Sequence, residues 1–136
     1  MLLHIDNVLS SDDCQAILAA TADSALWKDG KATARGSARV VKENRQADSA
    51  APAVKGALAK IQATLSTHPV FVAAAHPATF IRMTINQYAE GMAYGDHVDA
   101  PYIDGRRTDL SFTVFLTPPD DYDGGALVID NAGHED

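Results

Sequence analysis

The stretch that decides the interpretation of this chain is Ile85-Asn86-Gln87-Tyr88-Ala89-Glu90-Gly91-Met92-Ala93-Tyr94-Gly95-Asp96-His97-Val98-Asp99. It has a strand-like, aromatic character and ends in a His-x-Asp pair. Side chains two positions apart on a strand point to the same face. His97 and Asp99 can therefore offer an imidazole nitrogen and a carboxylate oxygen to one ion, and the stretch predicts two ligands of a metal site.

The spacing of apolar residues changes along the chain from helical to alternating. One helix is predicted to begin at Ser10 or Ser11, with acids in its first turn, and a second to begin near Pro52 and end at His68-Pro69. From Ala78 onward the alternation is that of β-strands. The predicted class is α+β, with strands over 2–6, 80–88, 110–116 and 126–129 and across the His-x-Asp pair.

Composition excludes several classes of function. A chain of 136 residues is one domain by length, and its net charge of -7, with scattered basic residues, argues against nucleic-acid binding. No run of about 18 apolar residues is present, so no membrane span is expected. The segment from Met1 to Asp6 lacks a basic region, which argues against a signal peptide and for a cytoplasmic protein. Cys14 is expected to be an inert core thiol.

Several motifs together carry a family resemblance. They include the Asn86-Gln87-Tyr88 triplet, Gly91, Tyr94, the His97-x-Asp99 pair, the run 110–116 and the segment Tyr122-Asp123-Gly124-Gly125-Ala126-Leu127. In combination they resemble the Fe(II)/2-oxoglutarate dioxygenases of the prolyl/lysyl hydroxylase type, in particular the bacterial PKHD-type hydroxylases. The opening residues 2–5 with 8–9 and the triplet Asn44-Arg45-Gln46 resemble the N-terminal half of that family, so the resemblance covers nearly the whole chain.

The resemblance implies a double-stranded β-helix, or jelly roll, packed on N-terminal helices. Residues 1–77 would be the helical support and residues 78–136 the first part of the jelly roll. It further implies that His97 and Asp99 bind Fe(II), that Tyr88 lines the pocket of the cosubstrate 2-oxoglutarate, and that L-ascorbate is the reductant. With O2, the implied reaction hydroxylates an unidentified small-molecule or peptidyl substrate. The family's late-strand histidine ligand and the basic residue that follows it have no counterpart here.

Strand counting predicts an incomplete barrel. A jelly roll needs eight strands, whereas the residues after 77 leave room for roughly four or five. We therefore expect the jelly roll to be C-terminally incomplete, and this chain by itself to be inactive as a fragment. An open sheet edge is expected to allow self-association.

Other interpretations remain open from the residues alone. His97 and Asp99 could be a simple hydrogen-bonded pair, and His134 in the tail could be a third ligand. Tyr94 could be an ordinary barrel aromatic, and Arg82 could meet a carboxylate in the pocket or form a surface ion pair. The chain could also be a non-catalytic remnant that associates with another chain. A zinc hydrolase is disfavoured because no His-Glu-x-x-His motif is present.

Overall fold

Four α-helices lie before residue 77 of the computed structural model, which describes residues 1–130. Two of them confirm the predicted helices. Ser10 is the cap that begins the first, because its hydroxyl oxygen accepts a hydrogen bond from the Asp13 backbone N–H at 3.0 Å. The second begins at Pro52 and ends before His68, which at once begins another helix. The helices are α1 (Ser11–Ala20), α2 (Gly36–Val40), α3 (Pro52–Thr67) and α4 (Pro69–Ala75).

The strands of the described part are short and antiparallel. They form a three-stranded sheet in the order β1-β3-β4 and two two-stranded sheets, β2-β5 and β6-β7. One-turn 3-10 helices cover Ser24–Leu26, Gly30–Thr33 and Pro119–Asp121. The strands are β1 (Trp27–Asp29), β2 (Lys42–Glu43), β3 (Arg45–Ala47), β4 (Asn86–Gln87), β5 (Ala93–Tyr94), β6 (Tyr102–Ile103) and β7 (Arg106–Arg107).

The core lies between α3, α1 and the three-stranded sheet. Apolar residues of α3 at helical spacing point into it, as the sequence predicts. Trp27 joins α1 to this core, because it begins β1, packs against the buried cluster and donates from Nε1 to the Thr21 carbonyl oxygen at 2.9 Å. The cluster consists of Leu9, Ile17, Ala47, Val54, Ala57, Ile61, Leu65 and Ile85.

The long strands that the sequence predicts are absent or much shorter in the described part of the structure. Residues 2–6, 110–116 and 126–129 form no strand, and of 80–88 only Asn86 and Gln87 do. Alternating apolar residues give a strand only where a neighbouring strand supplies the ladder of hydrogen bonds. The described residues pair with 86–87 but not with the other segments. Conversely, residues 27–29, 42–43 and 45–47 form strands where the sequence predicts a loop and a polar run.

The α+β class is confirmed, while the jelly roll stays a prediction. Pairing of β3 with β4 joins the two predicted regions, 1–77 and 78–136, in one sheet. Among the helices of residues 1–130, none is long and apolar enough to cross a membrane.

Candidate functional site

His97 and Asp99 follow β5 and lie outside a strand, contrary to the sequence prediction. Their side chains nevertheless approach each other, with His97 Nε2 and Asp99 Oδ1 3.5 Å apart. Asp96, which the sequence also places next to the histidine, is exposed. The structure therefore brings together the two predicted ligands without the predicted strand.

The imidazole of His97 is held on two sides. Its Nδ1 lies 2.7 Å from the Gly95 carbonyl oxygen, and its ring stacks on Tyr94 with centroids 3.6 Å apart and planes 11° from parallel. Because a carbonyl can only accept, this contact places the ring proton on Nδ1. The lone pair of Nε2 is then available beside Asp99, which is the arrangement that a metal-binding histidine adopts.

A second His-x-Asp pair in the chain gives a direct internal comparison. His4 Nε2 and Asp6 Oδ1 lie 3.6 Å apart, almost the same separation. The His4 side chain is 89% exposed, however, whereas that of His97 is 23% exposed. Spacing alone therefore does not identify a site, and the stacking and carbonyl contact at His97 distinguish the two pairs.

The β2-β3 segment contributes polar side chains to this region. Lys42 and Asn44 are buried, and Gln46 is half-buried, whereas Glu43 and Arg45 between them are exposed. Lys42 is paired with Tyr94 across the β2-β5 ladder, and its Nζ lies 5.1 Å from the Tyr94 ring centroid. Lys42, Tyr94 and His97 thus form consecutive layers.

Asn44 fixes the position of Tyr88, the predicted cosubstrate residue. Its Nδ2 donates to the Tyr88 hydroxyl oxygen at 3.0 Å, while its buried Oδ1 has no partner among the described residues. Gly30 approaches so closely that a Cβ there would overlap Oδ1. Since the Tyr88 oxygen accepts from Asn44, its own O–H can donate to a bound ligand.

Burial and neighbouring charges shift two pKa values in these layers. Burial lowers the pKa of Lys42, the nearby Arg82 lowers it further, and Asp29 partly opposes both. Burial raises the pKa of the Tyr94 phenol, and Asp99 and Tyr88 act in the same direction. The region therefore holds a partly desolvated cation next to the histidine and its aromatic partner.

The residues present fit part of a metal site. An imidazole nitrogen and a carboxylate oxygen suit Fe(II), and the Gly95 carbonyl supplies the outer contact that fixes such a histidine. No group of three potential ligands from His, Cys, Asp and Glu occurs within residues 1–130. His134, which the sequence leaves open as an alternative third ligand, lies outside the described residues. Arg82 Nη2 lies 3.8 Å from Oδ2 of the exposed Asp104. Of the two predicted alternatives for Arg82, a pocket carboxylate or a surface ion pair, this contact is the surface ion pair.

The sequence missed the roles of Lys42, Asn44 and Gln46. Their alternation with Glu43 and Arg45 is the signal of a strand with one buried face. All five residues are polar, so hydrophobicity does not reveal the period. The buried polar face becomes recognisable only in the structure, where these residues belong to or adjoin the strands β2 and β3.

The chain is similar in sequence to several known proteins. It is 42% identical over 141 residues to a PKHD-type hydroxylase of Caulobacter sp. (strain K31), covering 97% of this chain and 60% of that protein. For the PKHD-type hydroxylase of Phenylobacterium zucineum the identity is 43% over 137 residues, covering 96% of the chain and 60% of the relative. For that of Acaryochloris marina it is 39% over 134 residues, covering 97% and 60%.

These relatives are named as hydroxylases, which are oxidoreductases. The chain is a relative of the PKHD-type hydroxylases over nearly its whole length, which confirms the predicted resemblance. It spans about 60% of the length of each of these relatives. No protein-family model and no solved structure matches the chain.

Proposed function

We propose that this chain carries part of the active site of an Fe(II)- and 2-oxoglutarate-dependent hydroxylase. The observation that carries the proposal is the His97 imidazole, held on the Gly95 carbonyl with Nε2 3.5 Å from the Asp99 carboxylate. The PKHD-type hydroxylases named above support it. On this proposal the complete fold is the double-stranded β-helix that the sequence predicts.

His97 and Asp99 are the residues that would hold Fe(II), with L-ascorbate as the reductant. When bound, the iron with 2-oxoglutarate and O2 would supply the oxidising power needed to hydroxylate a C–H bond of a small-molecule or peptidyl substrate. Tyr88 would donate a hydrogen bond from its hydroxyl to a carboxylate of 2-oxoglutarate, because the phenol oxygen already accepts a hydrogen bond from Asn44.

The surrounding residues orient these groups. The Gly95 carbonyl holds the proton of His97 on Nδ1 and so leaves Nε2 as the coordinating nitrogen. Tyr94 covers one face of the imidazole and keeps water from it. Both contacts hold the histidine in one orientation before a metal arrives, which reduces the entropy cost of binding.

Metal binding tests the proposal directly. We expect calorimetry with Mn(II), a redox-stable substitute for Fe(II), to detect weak binding, since two protein ligands chelate less strongly than three. His97→Ala and Asp99→Ala should each weaken it by about 10-fold or more. The matched control is His4→Ala, which removes the exposed histidine of the other His-x-Asp pair and should leave the affinity unchanged. Equal affinity in all four proteins would refute the assignment.

A further inference from the structure

A cleft of about 430 Å³ lies between the 3-10 helix Gly30–Thr33, β3 and the segment 81–84. This volume is in the range of small-molecule sites. No acidic residue lines the cleft, although the chain as a whole carries a net charge of -7. Its polar lining consists of Thr33, Arg35, Gln46, Ser49, Arg82 and Thr84.

The two arginines of the cleft are largely uncompensated. Arg35 takes part in none of the ion pairs found among residues 1–130. Arg82 has Asp104 at 3.8 Å, but the Asp104 side chain is 82% exposed, and a pair of that length in water contributes little. Both guanidinium groups are therefore available to a ligand.

A third cation lies behind the cleft wall. Lys42 is 7% exposed, and its Nζ donates to Thr33 Oγ1 at 3.2 Å. None of the ion pairs in the described part of the chain includes Lys42. Asp29 acts on Lys42 only from beyond ion-pair distance. A buried charge with no carboxylate in contact costs stability, and its position next to a cationic cleft is consistent with a role in binding an anion.

Hydrogen bonds connect Lys42 to the cleft lining. The Thr33 hydroxyl accepts from Lys42 and lies 2.7 Å from Gln46 Oε1, to which it donates. The carbonyl end of the Gln46 amide is thus occupied, and its nitrogen is left to donate to a ligand. The cleft wall offers donors and positive charge, which is the complement of an oxyanion.

We propose that this cleft binds a carboxylate group, with Arg35 and Arg82 as its contacts and Lys42 as a buried charge that acts through Thr33. A planar guanidinium matches a carboxylate with two parallel hydrogen bonds. Phosphate sites are typically built from backbone N–H groups of glycine-rich loops, and no glycine lines this cleft. The carboxylate belongs either to a free dicarboxylic acid or to an acidic side chain of a peptide. The inference needs no metal, and its contacts, Arg35 and Arg82, are different residues from the His97, Asp99 and Tyr88 of the proposed function.

The test is an NMR chemical-shift titration of the metal-free 136-residue chain with succinate, with the capped residue N-acetyl-aspartate amide, and with inorganic phosphate. We expect saturable binding of at least one carboxylate, with shifts at Thr33, Gln46 and Thr84. Arg35→Gln and Arg82→Gln should each weaken that binding by about 10-fold, the loss expected for one charge-assisted hydrogen bond. Arg39→Gln is the matched control, because Arg39 is an exposed arginine of α2 that does not line the cleft.

The outcomes separate the possibilities. Tighter binding of succinate supports a free dicarboxylic acid as the ligand, and tighter binding of the capped aspartate supports a peptide. The proposal would be overturned if neither carboxylate showed saturable binding, or if the Arg35, Arg82 and control variants bound it with equal affinity. It would also be overturned if phosphate bound as tightly as the better carboxylate. Both arginines are exposed, and the spectrum of each variant reports whether it is folded.

Discussion

Lys42 is a charged residue in an environment that disfavours its charge. Its ammonium group is taken out of water beside the Tyr94 ring, with a hydroxyl as its hydrogen-bond partner. Burial and Arg82 both lower its pKa, which means that the folded chain disfavours the charged form. We expect a lysine of this kind to destabilise the fold, and we attribute its presence to the binding of an anion.

Replacing this lysine should therefore stabilise the chain. We expect Lys42→Met to raise Tm at neutral pH by about 2–4 °C, the shift that roughly 1 kcal/mol produces in a domain of this size. The control Lys55→Met alters an exposed lysine of α3 and should leave Tm nearly unchanged. Calorimetric melting of the three proteins measures the effect, and a lower Tm for Lys42→Met would show that the lysine is stabilising.

The difference in stability between wild type and Lys42→Met should become smaller as the pH rises. The folded pKa of Lys42 is lowered, so the unfolded chain binds more protons at this position. Stability of the wild type therefore rises with pH through the folded pKa of Lys42 up to its unfolded value. The difference in stability between wild type and Lys42→Met should narrow as the pH rises toward 10.5, the ordinary pKa of lysine. The charged or titratable groups around Lys42 are Asp29, Arg82 and Tyr94.

At the scale of the elements, the 3-10 helix after β1 packs closely on the β2-β3 segment. The Gly30 backbone N–H donates to the Asn44 carbonyl oxygen at 3.1 Å, and the Asn44 side chain occupies the space where a Cβ of residue 30 would lie. This contact holds Asn44 in place, and Asn44 in turn holds Tyr88. The packing of one short helix thus determines the position of a predicted cosubstrate residue.

Two glycine-to-alanine substitutions should change the stability of the chain in opposite directions. Gly30→Ala should destabilise the chain by about 1–3 kcal/mol, because the new methyl group overlaps the Asn44 amide. Gly56→Ala, in the interior of α3 with open space around it, should stabilise by about 0.5–1 kcal/mol. Urea unfolding of both variants measures the difference. If Gly30→Ala left the free energy of unfolding unchanged, the 3-10 helix would have to shift freely away from Asn44.

The sequence predicts α1 and α3 well, misses the shorter helices α2 and α4, and predicts the strands poorly. The cap at Ser10, the start at Pro52 and the apolar spacing of Val54, Ile61 and Leu65 are local signals, which residues within a few positions determine. The run 110–116 has strand-like alternation, but pairing depends on a distant partner that local sequence does not encode. At the site, His97 and Asp99 are recognisable from a motif. Lys42 is not, because its burial results from β5 and the 3-10 helix packing against it.

On the scale of the whole molecule, large apolar side chains are exposed toward the end of the described part. Exposed fractions are 65% for Leu110, 55% for Phe115, 57% for Leu127 and 80% for Val128. The segments that hold them form no strand in residues 1–130. Exposed apolar groups of this size favour association, which supports the self-association that the sequence predicts.

We therefore expect this chain by itself to form dimers or larger species at micromolar concentration. Association should strengthen with salt, which screens the repulsion between copies that each carry a net charge of -7. The double variant Leu110→Lys with Phe115→Lys should shift the chain toward monomer in size-exclusion chromatography with light scattering. Val40→Lys with Val70→Lys changes exposed apolar residues elsewhere and is the control. A wild-type monomer at all concentrations would contradict this expectation.

The hydrogen bond from Trp27 to the Thr21 carbonyl also gives this chain a built-in spectroscopic probe. Trp27 is the single tryptophan, so all indole fluorescence comes from the joint between α1 and β1. Its emission should move to longer wavelength when that joint opens to water. Tryptophan fluorescence therefore follows the helical core alone, and a variant of the cleft or of His97 that leaves the emission unchanged has kept its core intact.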